Sequence, residues 1–160
     1  MKSIKIWSLI AMLCFAFVGC ENPDNGDNSG NNSNGGNSDS LVGEWKLVSW
    51  CNAAPEFNVY IDFNEDGTFE MYQQVYSLNY ELYAGTYTVS KGVLSGKYSD
   101  MQAWSDSYTC KVETVSGVKQ LQLVSQTDAT VVSIYETTTI SDDVKAEATE
   151  TRAAGTERFL

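Results

Sequence analysis

Histidine is absent from the 160 residues, proline occurs only twice, and 10 basic residues face 21 acidic ones. Without histidine there is no His-based triad, no imidazole general base and no His-ligated metal. A formal net charge of −11 repels nucleic-acid phosphates, so no nucleic-acid partner is expected. The chain also lacks a phosphate-cradling glycine loop and a nucleophile-elbow serine. No acidic pair is spaced for glycoside hydrolysis, and Asp62, Glu70 and Glu81 alternate with apolar residues as solvated outer-face groups would. No enzyme, metal or cofactor is expected. No apolar run reaches the ~20 residues that span a bilayer.

The longest apolar run, Ile6 to Val18, is broken only by Ser8 and follows Lys2 and Lys5. A basic start, a short apolar stretch and a small residue before a break form a secretory leader, here residues 1–19. The run ends in Phe17-Val18-Gly19-Cys20, which resembles the lipobox of bacterial lipoproteins, with Phe17 in place of the usual Leu. The resemblance implies that Cys20 is acylated and becomes the first residue of the mature chain. Acyl chains on one cysteine give a lasting hold on a membrane once there are two or more of them.

Glu21 to Ser40 contains seven Asn, four Gly, four Ser and three Asp, with no apolar residue besides Pro23. Such a segment has nothing to bury and is expected to be a disordered leash with a reach of roughly 25 Å. Lipobox and leash together resemble lipoproteins of the Bacteroides group. That resemblance implies lipid anchoring to the outer membrane, on its periplasmic face or at the cell surface. Asp39-Ser40-Leu41 is similar to the group's O-glycosylation motif, which makes Ser40 a candidate glycan acceptor.

From Leu41 the material changes, and residues 41–137 hold 15 of the 19 aromatics. Apolar residues alternate in short runs about every ten residues, as half-buried strands require. Leu41, Gly43, Trp45 and Leu47 share one face of a first strand. Phe57, Val59, Ile61 and Phe63 share a face of the second. Asp66-Gly67 marks a hairpin, because glycine accepts positive φ. Phe69, Met71 and Val75 follow, then Tyr83, Gly85, Tyr87 and Val89. Lys91-Gly92 turns into Leu94, Gly96 and Tyr98, and then come Tyr108, Cys110 and Val112. Ser116-Gly117 turns into Leu121 and Leu123, and Thr130, Val132 and Ile134 give the eighth. The expected fold is all-β, an antiparallel up-and-down meander of about eight strands. Closure into a barrel is favoured because it removes the edges.

Three motifs carry a second resemblance. Gly43-Glu44-Trp45 is similar to the Gly-x-Trp opening strand of lipocalins. Ile61-Asp62-Phe63-Asn64-Glu65-Asp66-Gly67-Thr68-Phe69 resembles the Asp-Gly hairpin of small bacterial lipocalin-like domains, and Gly85-Thr86-Tyr87 resembles their Gly-x-Tyr strand. The resemblance implies a lipocalin-like β-barrel over residues 41–137, often lipid-anchored, and does not imply an enzyme. It also implies that Trp45 plugs the closed end.

The expected function is a membrane-anchored binding module for a small apolar or amphipathic ligand. Its lining would come from Trp45, Phe57, Phe63, Phe69, Met71, Tyr87 and Tyr98, with Gln73 to orient the guest. A barrel this small can instead be filled by its own side chains. The alternative function follows from that: a structural or interaction lipoprotein docking an envelope protein or glycan. It would use aromatics on the outer phase or in turns, such as Trp50, Tyr60, Tyr72, Tyr76 and Tyr80. Trp104, in a loop between the fifth and sixth strands, is a candidate for surface binding. Cys51 and Cys110 are the two cysteines left beside Cys14 and Cys20. They read either as a disulfide or as two small buried thiols. The tail, residues 138–160, reads as polar. Ser141-Asp142-Asp143 would cap a short helix from Val144 to Ala154, disorder is expected beyond Arg152, and Phe159-Leu160 receives no role.

Overall fold

A computed structural model describes residues 41–150 and 157–160, with side chains given as far as Ala148 and again from Glu157. The proposed leader, Cys20, the leash and Ser40 lie outside the described residues.

Eight strands alternate in direction: β1 (Gly43–Trp50), β2 (Asn58–Phe63), β3 (Thr68–Gln74), β4 (Glu81–Ser90), β5 (Val93–Tyr98), β6 (Tyr108–Val115), β7 (Val118–Ser125) and β8 (Val132–Thr137). Each pairs with its sequence neighbour, and β1 pairs with β8, so the sheet closes into an antiparallel barrel. The links differ sharply between the two ends. Residues 64–67, 91–92 and 116–117 are tight turns, with Gly67, Gly92 and Gly117 at positive φ. Residues 51–57, 75–80, 99–107 and 126–131 are longer loops around the opposite end. The barrel therefore has a closed end and a mouth.

Period-2 alternation fills the interior. Trp45, Val59, Ile61, Phe63, Met71 and Leu94 are each fully buried. Removing such a side chain from water is worth about 1.5–3 kcal/mol. At the closed end the indole of Trp45 donates to the carbonyl of Leu41 at 2.8 Å. Close by, the Tyr87 hydroxyl donates to the carbonyl of Asn64 at 2.8 Å. Gly85 lets β4 approach its neighbours, since a Cβ there would fall 2.1 Å from the Lys97 carbonyl oxygen.

The eighth strand departs from expectation. Its inward residues are Ser133 and Tyr135, whereas Val132 and Ile134 are half-buried on the other face. Register is the reason, because Tyr135 sits opposite Leu47, an inward residue of β1. Between Leu47 and Ser49 the β1–β8 register shifts by a bulge. The extra residue reverses the alternation beyond it. Trp50 then pairs with inward-facing Ser133 and meets Phe57 at the mouth while staying 40% exposed, where sequence alternation put it on the outer phase.

Between β5 and β6 the pairing is short, with Val93 opposite Thr109 and Leu94 opposite Tyr108. The loop over 99–107 folds back along the free stretch of β5. The Trp104 amide donates to the Gly96 carbonyl at 3.0 Å, and the Tyr98 amide to the Gln102 carbonyl at 2.8 Å.

After β8 the chain crosses the outside. A helix, α1 (Asp142–Glu147), is capped by Ser141, whose hydroxyl accepts from the Val144 amide. It ends at Glu147, short of the expected Ala154. Thr149–Glu150 instead forms a two-residue strand, β9, parallel to β4. Ile140 and Val144 pack over Tyr72 and Tyr80. Glu44 fastens the helix by accepting from the Ile140 amide at 2.9 Å and the Lys145 ammonium at 2.8 Å. Two aromatics expected on an open outer face are thus covered.

Residues 157–160 are the largest departure. Sequence gave Phe159 and Leu160 no role, yet Leu160 is 2% exposed and belongs to the barrel core, with Phe159 packed against it.

Candidate functional site

The mouth loops enclose a cavity of about 460 Å³. Every one of the four contributes to it, and the walls differ in chemistry. One wall is aromatic. Trp50 and Phe57 meet edge to face at 5.6 Å, and Phe159 lies 6.1 Å from Trp50 and 5.7 Å from Phe57. Val75 and Tyr76 extend this side. Elsewhere the wall is polar, with Ser125, Thr127, Asp106 and Asp128.

The polar wall is held by its own hydrogen bonds. The Asp106 carboxylate accepts from the Thr127 hydroxyl at 2.7 Å, the Ser107 amide at 2.7 Å and the Ser125 hydroxyl. Burial opposes its ionisation, but these hydrogen bonds outweigh it and the pKa lies below the ordinary value. Asp128 accepts through one oxygen from the Thr130 amide and hydroxyl, and those bonds hold its pKa down as well. Both acids are anions at neutral pH.

The floor is the chain's own segment. Gln73, fully buried, donates to the Glu157 carbonyl and accepts from the Phe159 amide, each at 3.0 Å. The Tyr98 hydroxyl donates to the Leu160 carbonyl at 2.6 Å. The Arg158 guanidinium binds both carboxylate oxygens of Asp100 and stands 4.3 Å above the Tyr98 ring and 5.4 Å from that of Tyr83. Burial raises the Tyr98 pKa well above the usual phenol range.

The structure sorts the expected lining residues. Phe57 lines the cavity, and Gln73 and Tyr98 lie directly beneath it, against residues 157–160. Trp45, Phe63, Phe69, Met71 and Tyr87 are buried in the packed lower barrel and line no part of the cavity. Trp104 requires correction. It is 5% exposed, edge-on to Phe69 at 5.1 Å, and offers no surface for binding. Loop position suggested exposure, but the glycine opposite it made a socket. Cys51 and Cys110 are free thiols, not a disulfide. Cys51 sits in the exposed turn after β1, Cys110 is half-buried on β6, and β8 and β7 separate those strands. Among the described residues no group of three His, Cys, Asp or Glu is placed to hold a metal.

Sequence reasoning named Trp50 only as an outward docking aromatic, and it missed the polar wall, Asp100 and the Arg158-Phe159-Leu160 segment. The signal for the last was an apolar pair closing an otherwise polar tail. For the phase of Trp50 there was none, since the bulge depends on pairing with a distant strand.

A closed meander barrel, plugged by a tryptophan at its tight-turn end and open among long loops at the other, is a ligand-binding type of fold. The chain belongs to the lipocalin-like domain family, whose model matches residues 41–139. No curated protein matches the sequence significantly.

Proposed function

We propose that the protein is a lipid-anchored, non-enzymatic binding module of the bacterial cell envelope that takes a small amphipathic ligand in its barrel mouth. The cavity carries the proposal. Its volume of about 460 Å³ lies within the ~300–1,000 Å³ usual for small-molecule sites. The apolar part of the ligand lies against Trp50, Phe57 and Phe159. A hydroxyl or amine on it faces Asp128, which keeps one carboxylate oxygen outside its bonds to Thr130.

The anchor is Cys20, acylated and held at the outer membrane, a proposal that rests on the lipobox resemblance. The chain enters the barrel at Leu41, by the closed end. Docking of an envelope protein or glycan on outer aromatics loses Tyr72 and Tyr80, which lie under Ile140 and Val144, and keeps Trp50 and Tyr76, which are exposed at the mouth.

Titration with the neutral fluorophore N-phenyl-1-naphthylamine tests the site. Emission should rise on uptake, and Trp50→Ala and Phe57→Ala should each weaken uptake by about tenfold, the loss of ~1.4 kcal/mol of contact. No uptake by the native chain, or uptake indifferent to both substitutions, rejects the proposal. Cys20→Ser should move the protein from the membrane fraction to the soluble one.

A further inference from the structure

Beneath the cavity, residues 157–160 are held the way a protein holds a peptide ligand. One buried amide, Gln73, both donates to and accepts from their main chain. Tyr98 reads a third main-chain group. Main-chain contacts of this kind recognise an extended segment whatever its side chains. Selectivity comes from three places. Asp100 pairs with the guanidinium between the Tyr98 and Tyr83 rings. Trp50 and Phe57 receive an aromatic ring. The core receives an aliphatic side chain. Within the segment itself the buried Arg158 Nε makes no hydrogen bond, so the segment does not satisfy every polar group it carries into this space.

We propose that the upper barrel is a peptide-binding site for an extended segment of basic, aromatic and aliphatic residues in that order, with residues 157–160 as its resident occupant. The proposal rests on the mouth being a binding site and extends that site inward. Arg158 and Phe159 form part of the cavity's own boundary, so an incoming peptide meets the resident segment directly. A tethered occupant competes at an effective concentration of about millimolar for a short linker. The native chain should consequently bind such a peptide weakly, in proportion to the fraction of time its own segment is out.

The probe is a fluorescein-labelled peptide, Thr-Glu-Arg-Phe-Leu, the sequence of residues 156–160. Binding is read by anisotropy on the full chain and on its Arg158→Glu variant, in which Asp100 repels the resident segment. The variant should bind at least about tenfold more tightly than the native chain, and a peptide with Glu for Arg should bind neither. A folded variant that binds no better than the native chain overturns the proposal. A second chain guards against a variant that fails to fold. It carries a specific protease site inserted within residues 151–156 and is cut only after folding. Its released segment should exchange for the labelled peptide on dilution, and failure to exchange also overturns the proposal. The naphthylamine fluorophore is titrated in the same samples. Fluorophore uptake without peptide binding rejects the peptide site alone, whereas loss of both rejects the mouth as a binding site too.

Discussion

The indole of Trp104 occupies the space that a side chain on Gly96 would need. A Cβ on Gly96 would fall 2.4 Å from Cε2 and 2.5 Å from Cζ2 of that ring. The pair solves a local problem of the barrel. Paired residues on β5 and β6 are few, and beyond them the loop lies back along β5, its tryptophan filling the wall between Phe69 and Tyr108. Glycine at 96 is what allows the wall to close there. Gly96→Val should expel the indole and cost about 1–3 kcal/mol as overpacking, with further loss if the exposed ring leaves a void. A lower urea midpoint together with red-shifted tryptophan emission is the expected result. An unchanged midpoint would mean that the loop is not part of the wall.

Acid should release residues 157–160 before the barrel itself opens. The Arg158 hydrogen bonds hold the Asp100 carboxyl below its ordinary pKa of 3.8. A carboxylate depressed in the folded state contributes fully above that ordinary value and loses its contribution as pH falls below it. Protection of the Phe159 amide, which donates to Gln73, measured against an unstructured amide at the same pH, should be high at pH 7 and at pH 5 and then fall in strong acid. Asp100→Asn should make that amide exchange quickly at neutral pH and leave no further acid step. Slow exchange in the Asn variant would show that the ion pair does not hold the segment.

The fold was legible because each strand carries its own record. Val59-Ile61-Phe63 and Phe69-Met71 alternate cleanly, and Asp66-Gly67 joins them. What failed was non-local. Trp50 reaches the mouth through a bulge set by its partner strand, and the inward phase of β8 follows from Leu47 standing opposite Tyr135. Trp104 is buried because its loop folds back onto β5, where Gly96 has no side chain to keep the indole out. The floor of the site is a segment bound back onto Gln73 and Tyr98 across more than sixty residues of sequence separation. Periodicity reports which way a side chain points within its own strand and carries nothing about such long closures.

The two described cysteines should react at separate rates. Cys51 is exposed, whereas Cys110 is half-buried on β6 and burial raises its thiol pKa. Only the thiolate reacts, so both access and ionisation disfavour Cys110. Iodoacetamide under native conditions should label Cys51 first, with Cys110 modified mainly after unfolding, as read by peptide mass mapping. Equal rates would contradict the packing of β6. Recovery of a Cys51–Cys110 peptide pair from unreduced native protein would contradict the free thiols.

Alkali should unfold the barrel cooperatively. Burial raises the pKa of Tyr72, Tyr98, Tyr108 and Tyr135 above the ordinary 10.0, and Tyr72 is raised further by donating to Glu70. Each hydroxyl ionises less readily in the fold than in the open chain. Their protonated forms therefore support folding in full below pH 10.0, and the support drains away as pH rises above that value. Tyrosinate absorbance from these residues should appear together with the loss of β-sheet circular dichroism, in one transition. Exposed Tyr76 should ionise before it, although burial and Glu157 raise its pKa too. Tyr98→Phe keeps the ring under Arg158 but removes the bond to Leu160 and one buried ionisable group. That variant should lose stability at neutral pH while its alkaline transition becomes shallower. Smooth titration of all the tyrosines with the circular dichroism intact would show that the phenols lining the upper barrel are reached by water, and that its packed interior is more open than the contacts around Tyr98 and Tyr135 require.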